Sequence, residues 1–434
     1  MPPPPSHPAG VVFVRGSADL PGLGDQVLSR VLDRELRRRL PDHRVTVCAP
    51  FGALRPSITD GGLAVLPLLG TSTGDDGWIT VVCPGFPVDS TADELVSRYG
   101  TSDAAAAPPL FACGGPNVVW TAVRVAGDVP ADLAAAVTAQ PCPSVRDGES
   151  ARRLRAAGVD VPVVAHPGVL AGAVVDGSVL ASRLRVLRQL KLVPDNDYTV
   201  VHAPGGDLAG LASTGDGHVV VLPTAPVEGG VSWATVLPAD LVLEDRLAVL
   251  AGARAVIAAD EHVAAVAAGL GRPWALLDRS GVDGAVALEF GRPEQVVSEP
   301  GTAPDAVAVS DVESAVAGLT EHLDRVAELV TTHGHPVSAD VRIAQLAAEN
   351  RALRISHERL RQRMMLERRR LVESLADTLA APGMPTVEPV AEPVDQELAT
   401  RLAESQRELD ALRGTKLLRW SAPLRRLYGK LRRT

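Results

Sequence analysis

Three polar side chains, Asp260, Glu261 and His262, interrupt the otherwise apolar stretch "ARAVIAADEHVAAVAAGLGRPWALL". A histidine beside carboxylates can transfer protons, and carboxylates can bind ligand hydroxyls. The direction of the His262 pKa stays open, because a helix start disfavours the imidazolium whereas the two acids favour it. We take His262 as a candidate catalytic residue and Asp260 and Glu261 as candidate substrate-binding residues. The alternative for His262 is a helix-capping or partly exposed loop residue.

The elements around these side chains would place them at a ligand-binding edge. Residues 255–259 are small, apolar and β-branched, which predicts a strand buried on both faces of a parallel sheet. Residues 263–270 are Ala-rich and predict a helix that Gly271 and Pro273 end, and residues 274–277 predict a second strand. In such βαβ units ligands bind beyond the carboxyl ends of the strands, which is where the three polar residues fall.

The same alternation of strands and helices runs along most of the chain and predicts α/β architecture with parallel sheets. Two series of elements, joined near residue 190, indicate two Rossmann-like domains that face each other across a cleft and precede a helical coiled coil. The predicted organisation is a Pro-rich disordered lead (1–10), an N-terminal Rossmann-like domain (11–185), a C-terminal Rossmann-like domain (186–310), a helical and coiled-coil segment (311–380), a Pro-rich linker (381–394) and a helix with a basic amphipathic tail (395–434).

The N-terminal half offers three more candidate substrate-binding residues. Gly24 and Asp25 in "GLGDQVL" open a helix after the first strand, and this run lacks the third glycine of a dinucleotide fingerprint. Arg146 in "SVRDGESARRL" suits a carboxylate or phosphate, although Asp147 beside it and Ser150 as the helix N-cap also give an ordinary structural account. His166 and His202 follow strands, and we read both as loop residues.

Composition excludes several classes of function. The net charge of -9 argues against a nucleic-acid-binding protein. Four cysteines without paired spacing indicate buried free thiols in a reducing compartment, and "HGH" at 333–335 has no third ligand nearby, so no metal is predicted. The start of the chain does not resemble a secretion signal and no run is long enough to span a membrane, so we expect a cytoplasmic protein. We also expect no cofactor.

Two features of the C-terminal part predict partners. Residues 343–371 carry a heptad pattern with Leu at d positions and Asn350 at an a position, which favours a parallel homodimer, the alternative being a helix that packs on its own globular domain. Residues 415–434 alternate apolar and basic side chains, which indicates docking on an anionic membrane surface at the inner face of the membrane. The alternative is packing on the partner subunit or on the globular cleft.

Several stretches resemble polysaccharide pyruvyl transferases. "SVRDGESARRLRAAGVDVPVVAHP" is similar to the family segment in which a strand ends in Arg-Asp, and "LEDRLAVLAGARAVIAADEHVAAVAAGLGRPWALLD" is similar to its C-terminal strand, His, Ala-rich helix and Gly-x-Pro. "GLGDQVL" resembles its Gly-Asp loop, and the basic end of the chain resembles the tail of many bacterial surface-polysaccharide glycosyltransferases. The chain departs from the family in having Asp260 and Glu261 before His262, and His166-Pro167 in place of Asp-Pro.

The resemblance implies a GT-B-like arrangement and transfer of pyruvyl from phosphoenolpyruvate to two hydroxyls of a sugar in a cell-surface polysaccharide or its precursor. The partner would be a sugar or lipid-linked glycan acceptor. A GT-B-type glycosyltransferase using a nucleotide sugar is the alternative, with Glu244 or Asp245 as the carboxylate for ribose. A third possibility is a catalytically inactive family member that acts as a dimeric scaffold. Enzyme function predicts that Asp25, Arg146 and His262 converge on one site, whereas a scaffold predicts a filled or acid-lined cleft.

Overall fold

The computed structural model describes residues 10–55, 63–69, 79–203, 218–224, 232–239, 241–278, 283–297 and 312–333, all within one compact unit of the chain. Its strands are β1 (Gly10–Arg15), β2 (His43–Ala49), β3 (Ala53–Arg55), β4 (Leu63–Pro67), β5 (Ile79–Val82), β6 (Val118–Trp120), β7 (Tyr198–Ala203), β8 (His218–Pro223), β9 (Thr235–Val236), β10 (Ala255–Ala258), β11 (Trp274–Leu277) and β12 (Val296–Val297). Its α-helices are α1 (Leu23–Arg39), α2 (Ala92–Tyr99), α3 (Pro108–Phe111), α4 (Ala131–Thr138), α5 (Gly148–Ala156), α6 (Gly177–Gln189), α7 (Leu243–Gly252), α8 (Glu261–Gly269), α9 (Asp283–Ala287) and α10 (Glu313–His333).

The first sheet has the strand order β3-β4-β2-β1-β5-β6. Its pairs are parallel except for β3, which joins β4 antiparallel at the edge. β1 lies in the middle, with Val12 opposite Val45 on one side and Ile79 on the other. Its apolar residues are buried, as expected for a parallel strand covered on both faces.

The second sheet is parallel throughout, in the order β12-β11-β10-β7-β8-β9. The βαβ unit predicted around the three polar residues is confirmed as β10, α8 and β11, with α8 beginning two residues earlier than the sequence pattern indicates. Both sheets together confirm the predicted α/β class with two parallel sheets.

One apolar core runs from the first sheet to the second. It contains Val12 and Val14 of β1, Val200 of β7 and Val256 of β10. Between the sheets, α1 packs on α7, on α8 and on the 3₁₀ turn Pro167–Ala173, and that turn also packs on α8. We call each sheet with its helices a sheet unit. The described parts of the two units are in continuous contact, and we call the contact region formed by α1, α7, α8 and this 3₁₀ turn the joint.

Helix α10 is part of this globular body. Leu319, Leu323 and Val326 are fully buried in the common core, and α10 contacts α1. His322 is also fully buried, with Nε2 3.1 Å from the Thr121 hydroxyl and 3.2 Å from the Ser144 hydroxyl. His333 is the last residue of this helix.

Several sequence predictions fall outside the described residues. These are the disordered lead up to residue 9, the coiled coil of 343–371, the linker of 381–394 and the basic tail of 415–434. Within the described ranges, no helix combines the length and apolarity needed to cross a membrane. All four cysteines are free thiols, and Cys48 and Cys83 are buried.

Candidate functional site

The polar triplet lies where β10 ends and α8 begins. Asp260 is the N-cap of α8, and its carboxylate accepts a 2.9 Å hydrogen bond from the Val263 N–H. Its other oxygen lies 3.6 Å from Nδ1 of His202, which is buried in β7 and is not the loop residue that the sequence suggested. Burial raises the pKa of Asp260, but His202, His262 and the backbone donors outweigh it and hold that pKa below its ordinary value. Asp260 thus has a structural role in capping the helix.

His262 reaches across the joint to two groups of the first sheet unit. Its Nε2 is 2.7 Å from the Gly85 carbonyl oxygen, and its Nδ1 is 2.7 Å from Nε2 of His166. Gly24 of α1 lies directly against the His262 ring, where the absence of a side chain permits the close approach. The structure therefore brings Gly24 to His262, and it adds a buried partner, His166.

The surroundings of both histidines of this pair disfavour their charged forms. Burial lowers the pKa of His166 well below its ordinary value, and the neighbouring His262 and Arg146 lower it further. Burial also lowers the pKa of His262, although Asp260 opposes this effect. Two close imidazoles cannot both be charged without repulsion in a poorly solvated place.

Asp25 lies on the other side of the Gly85 loop from His262. Its carboxylate accepts a short hydrogen bond from the Ser17 hydroxyl, and that hydroxyl accepts a 2.9 Å bond from the Gly85 N–H. Burial raises the pKa of Asp25, while His262 and the Ser17 hydrogen bond oppose the rise. Asp25 and His262 are therefore connected through two residues, Ser17 and Gly85.

Glu261 forms the centre of a buried charge cluster. Its Oε1 lies 3.4 Å from Nη1 of Arg124, 4.0 Å from Nη1 of Arg146 and 3.8 Å from Nε2 of His262. Arg124 also pairs with Asp283 at 3.0 Å. We name Arg124, Arg146, Glu261 and Asp283 the charge cluster. Its arginines belong to the first sheet unit and its acids to the second.

Arg146 is the most enclosed member of the charge cluster. Its side chain has no exposed surface, and its Nη2 donates to the Pro84 carbonyl at 3.4 Å. Its Nε and Nη1 have no hydrogen-bond partner within the part of the chain that the structure describes. A buried donor without an acceptor costs about 1–3 kcal/mol, and more when it is charged. Such a group is suited to receive an anionic ligand.

Sequence reasoning missed Arg124 and Asp283. Burial raises the pKa of Asp283 to about 7, with Glu261 beside it acting in the same direction and Arg124 opposing. Asp283 therefore has both protonation states available near neutral pH. The one signal in the sequence that could have identified them was their place at the ends of elements, because Arg124 follows β6 and Asp283 begins α9.

Helix α5 presents a further contact between the two units. Its N-cap is Asp147, not Ser150 as the sequence suggested, and the Asp147 carboxylate accepts from the Ser150 N–H at 2.7 Å. The Gly148 N–H donates to Glu289 of the second unit at 3.2 Å. A carboxylate of the second unit thus lies at the N-terminus of α5, where the helix dipole favours negative charge.

The two acids predicted for a nucleotide ribose lie apart from these contacts. Asp245 of α7 is held by Arg183 of α6 through bonds of 2.7 and 3.1 Å. Glu244 is buried. Among the described residues, no group of three or more His, Cys, Asp or Glu side chains is arranged to hold a metal ion.

Of the site residues predicted from the sequence, the structure connects Gly24, Asp25, Arg146, Glu261 and His262 in one region.

Comparison with known proteins gives similarity at the level of structure only. No family model and no curated protein sequence matches the chain. A UDP-GlcNAc 2-epimerase from Methanocaldococcus jannaschii is 9% identical, with 74% of this chain and 99% of that chain covered and a TM-score of 0.42. The UDP-GlcNAc 2-epimerase from Neisseria meningitidis bound to UDP-GlcNAc is 11% identical (78% and 98% covered, TM-score 0.37), and the E. coli ADP-heptose lps heptosyltransferase II is 15% identical (74% and 99%, TM-score 0.32).

These neighbours do not single out the pyruvyl transferase family. Such low identities and TM-scores say nothing about which reaction the chain performs. Its function has to be argued from the residues of the site.

Proposed function

We propose that the protein is a polysaccharide pyruvyl transferase-like enzyme that binds phosphoenolpyruvate at the charge cluster and transfers its pyruvyl group to a sugar. The observation that carries this proposal is Arg146, a fully enclosed guanidinium whose Nε and Nη1 lack a hydrogen-bond partner among the described residues. Arg124 supplies a second cation beside it, joined to Arg146 by their common partner Glu261. Two cations suit a donor that carries a phosphate and a carboxylate.

The proton steps of ketal formation have matching groups at the same place. The terminal enol carbon of the donor must gain a proton, and the two acceptor hydroxyls must lose theirs as they form the two C–O bonds of the ketal. The bond between the ketal carbon and the phosphate oxygen breaks, and inorganic phosphate leaves with the second proton. Asp283, with a pKa of about 7, can hold or release a proton near neutral pH. Asp25 is a carboxylate of the first unit whose charge favours the protonated form of His262, and it would orient an acceptor hydroxyl.

The Glu261 carboxylate lies beside the two arginines, where the anionic group of a donor would bind. This carboxylate compensates the charge of both arginines, which avoids the cost of leaving buried cations unpaired. A donor phosphate or carboxylate would take over this pairing with Arg146, so binding requires Glu261 to withdraw. The acceptor would be a sugar or lipid-linked glycan, brought near by residues 415–434 at a membrane surface in a homodimer formed through residues 343–371.

A dimeric scaffold without catalysis is the second candidate. It is favoured by one observation, that both ring nitrogens of His262 are engaged inside the protein. The nucleotide-sugar alternative would need Asp245 to release Arg183 before it could hold a ribose.

Calorimetric titration of phosphoenolpyruvate into the full chain tests these candidates. We expect saturable binding that Arg146→Met weakens at least tenfold, because a charge-assisted hydrogen bond contributes about 1.5–3 kcal/mol. Arg152→Met removes an arginine of α5 that is 73% exposed and serves as the matched control, with unchanged binding expected. Arg124→Met provides a second test if Arg146→Met does not fold.

The other outcomes separate the alternatives. Binding of UDP-GlcNAc with no binding of phosphoenolpyruvate would replace pyruvyl transfer by glycosyl transfer. Binding of neither ligand would leave the scaffold function. Equal weakening by Arg152→Met and Arg146→Met would show that the effect does not come from the charge cluster.

A further inference from the structure

The hydrogen bonds around His166 and His262 can run in one direction only. A backbone N–H can only donate, so Nδ1 of His166 accepts from the Gly168 N–H at 2.9 Å. A carbonyl can only accept, so Nε2 of His262 carries a hydrogen and donates to Gly85 at 2.7 Å. In neutral rings this leaves a hydrogen on Nε2 of His166 and a bare Nδ1 on His262, which are the two atoms in contact at 2.7 Å.

This assignment is the single arrangement of neutral rings that satisfies all three contacts. A second proton on His262 would occupy Nδ1 and point at the N–H of His166. Moving the hydrogen of His166 to Nδ1 would relieve that clash, but it would then point at the Gly168 N–H. The geometry therefore opposes protonation of either ring.

We propose that His166 is a positioning residue that fixes His262 as a neutral imidazole with its hydrogen on Nε2, so that His262 offers a hydrogen-bond donor, not a base, to a ligand. The ligand atom that takes the place of the Gly85 carbonyl is then an oxygen acceptor, such as a donor carboxylate. The identity of that ligand rests on the proposed function, whereas the protonation state does not.

Two separate runs of hydrogen bonds involve Gly85. The links from Gly168 to the Gly85 carbonyl all point one way, and hydrogen bonds aligned in this way polarise one another. The Gly85 N–H belongs to the preceding peptide group and begins a separate run that ends at Asp25. A donor at His262 Nε2 is the state that the run from Gly168 to Gly85 supports.

The charged groups around His262 do not all favour the neutral ring. Asp260, Asp25 and Asp283 favour its cation, whereas Arg146 opposes it, and Glu261 lies 3.8 Å from Nε2. His166 carries the donor that faces Nδ1, and His202 lies beyond Asp260. The donor from His166 therefore acts together with burial and Arg146 against these four acids in keeping the ring neutral.

Long-range ¹H–¹⁵N correlation spectra of the histidine rings in the ligand-free full chain test the proposal, with His262→Gln used to assign the signals. We expect His262 to show the neutral Nε2–H pattern at pH 6.5, where an ordinary histidine is half protonated. His166→Gln and His166→Glu form a matched pair of equal shape. Gln can still donate to Nδ1 and should keep the neutral ring, whereas Glu can only accept and should raise proton affinity at His262 at least tenfold.

Three results would overturn the proposal: an Nδ1–H ring in the wild type, an imidazolium in the wild type at pH 6.5, or equal titration midpoints in the two variants. The wild-type spectrum decides the protonation state even if neither variant folds. Because no ligand is present, failure of phosphoenolpyruvate to bind would leave this result standing. If the ligand does bind, the Nε2–H signal of His262 should shift on its addition, and an unmoved signal would remove His262 from the ligand contacts.

Discussion

Gly24→Ala tests whether the joint between the sheet units depends on the close approach of α1 to His262. An added methyl group at Gly24 would overlap Cβ and Cγ of His262 and lie 2.7 Å from its Cδ2. Rotation of the ring cannot relieve the overlap, because Cβ is bound to the backbone of α8. The helix or the His262 segment must move.

The opposing free energies can be compared. Replacing Gly by Ala in a helix gains up to about 1 kcal/mol. Overpacking of a dense interior costs about 1–3 kcal/mol, and loss of the two hydrogen bonds of His262 costs about 1 kcal/mol each. We therefore expect a net destabilisation of about 2–4 kcal/mol.

Gly318→Ala is the matched control, because Gly318 lies within α10 and its added methyl group would meet no atom within 4 Å outside the neighbouring residues and backbone of its own helix. The same exchange there should stabilise the protein by about 0.5–1 kcal/mol. Urea unfolding followed by tryptophan fluorescence suits both variants, since Trp120 is buried in the first sheet and Trp274 in the second. A midpoint for Gly24→Ala at or above that of the wild type would refute the packing argument.

Three further predictions concern charge and pH. Asp283 has a folded pKa of about 7 against an ordinary 3.8, so its contribution to stability is present below pH 3.8 and lost as the pH rises to about 7. Asp283→Asn should remove this loss when the free energy of unfolding of both proteins is measured by denaturation as a function of pH. The same pH dependence in both proteins would contradict the prediction. Burial lowers the pKa of His322 to about 4, so its ring should stay neutral at pH 5 in an NMR titration. Its contribution to the free energy of unfolding should decrease as the pH falls from 6.5 to about 4. A titration midpoint near 6.5 would show an exposed ring. Asp245→Asn should weaken the pair with Arg183 and lower stability by about 1 kcal/mol without altering ligand binding, and a selective loss of UDP-GlcNAc binding would instead support a ribose contact.

The sequence predicted elements whose patterns are local. The apolar run of β10, the Ala-rich α8 and the stop signals before β11 depend on neighbouring residues alone, so their order and approximate ends follow from the pattern. Position at a strand end also identified Asp25, Arg146, Glu261 and His262 as candidates. The N-cap of α5 was misassigned, because Asp147 and Ser150 both fit a cap and only the backbone conformation distinguishes them.

The partners of these side chains were decided by tertiary structure. His166 and His262 are 96 residues apart, and Arg124 and Asp283 are 159 residues apart. No local pattern states which loops of two sheet units will meet, since that depends on how α1, α8 and the 3₁₀ turn pack between them. The sequence by itself determined two series of strands and helices with polar residues at their ends. Only the packed joint determined the hydrogen-bond partners of His262 and the enclosure of Arg146, because burial and hydrogen-bond direction arise when distant segments come together.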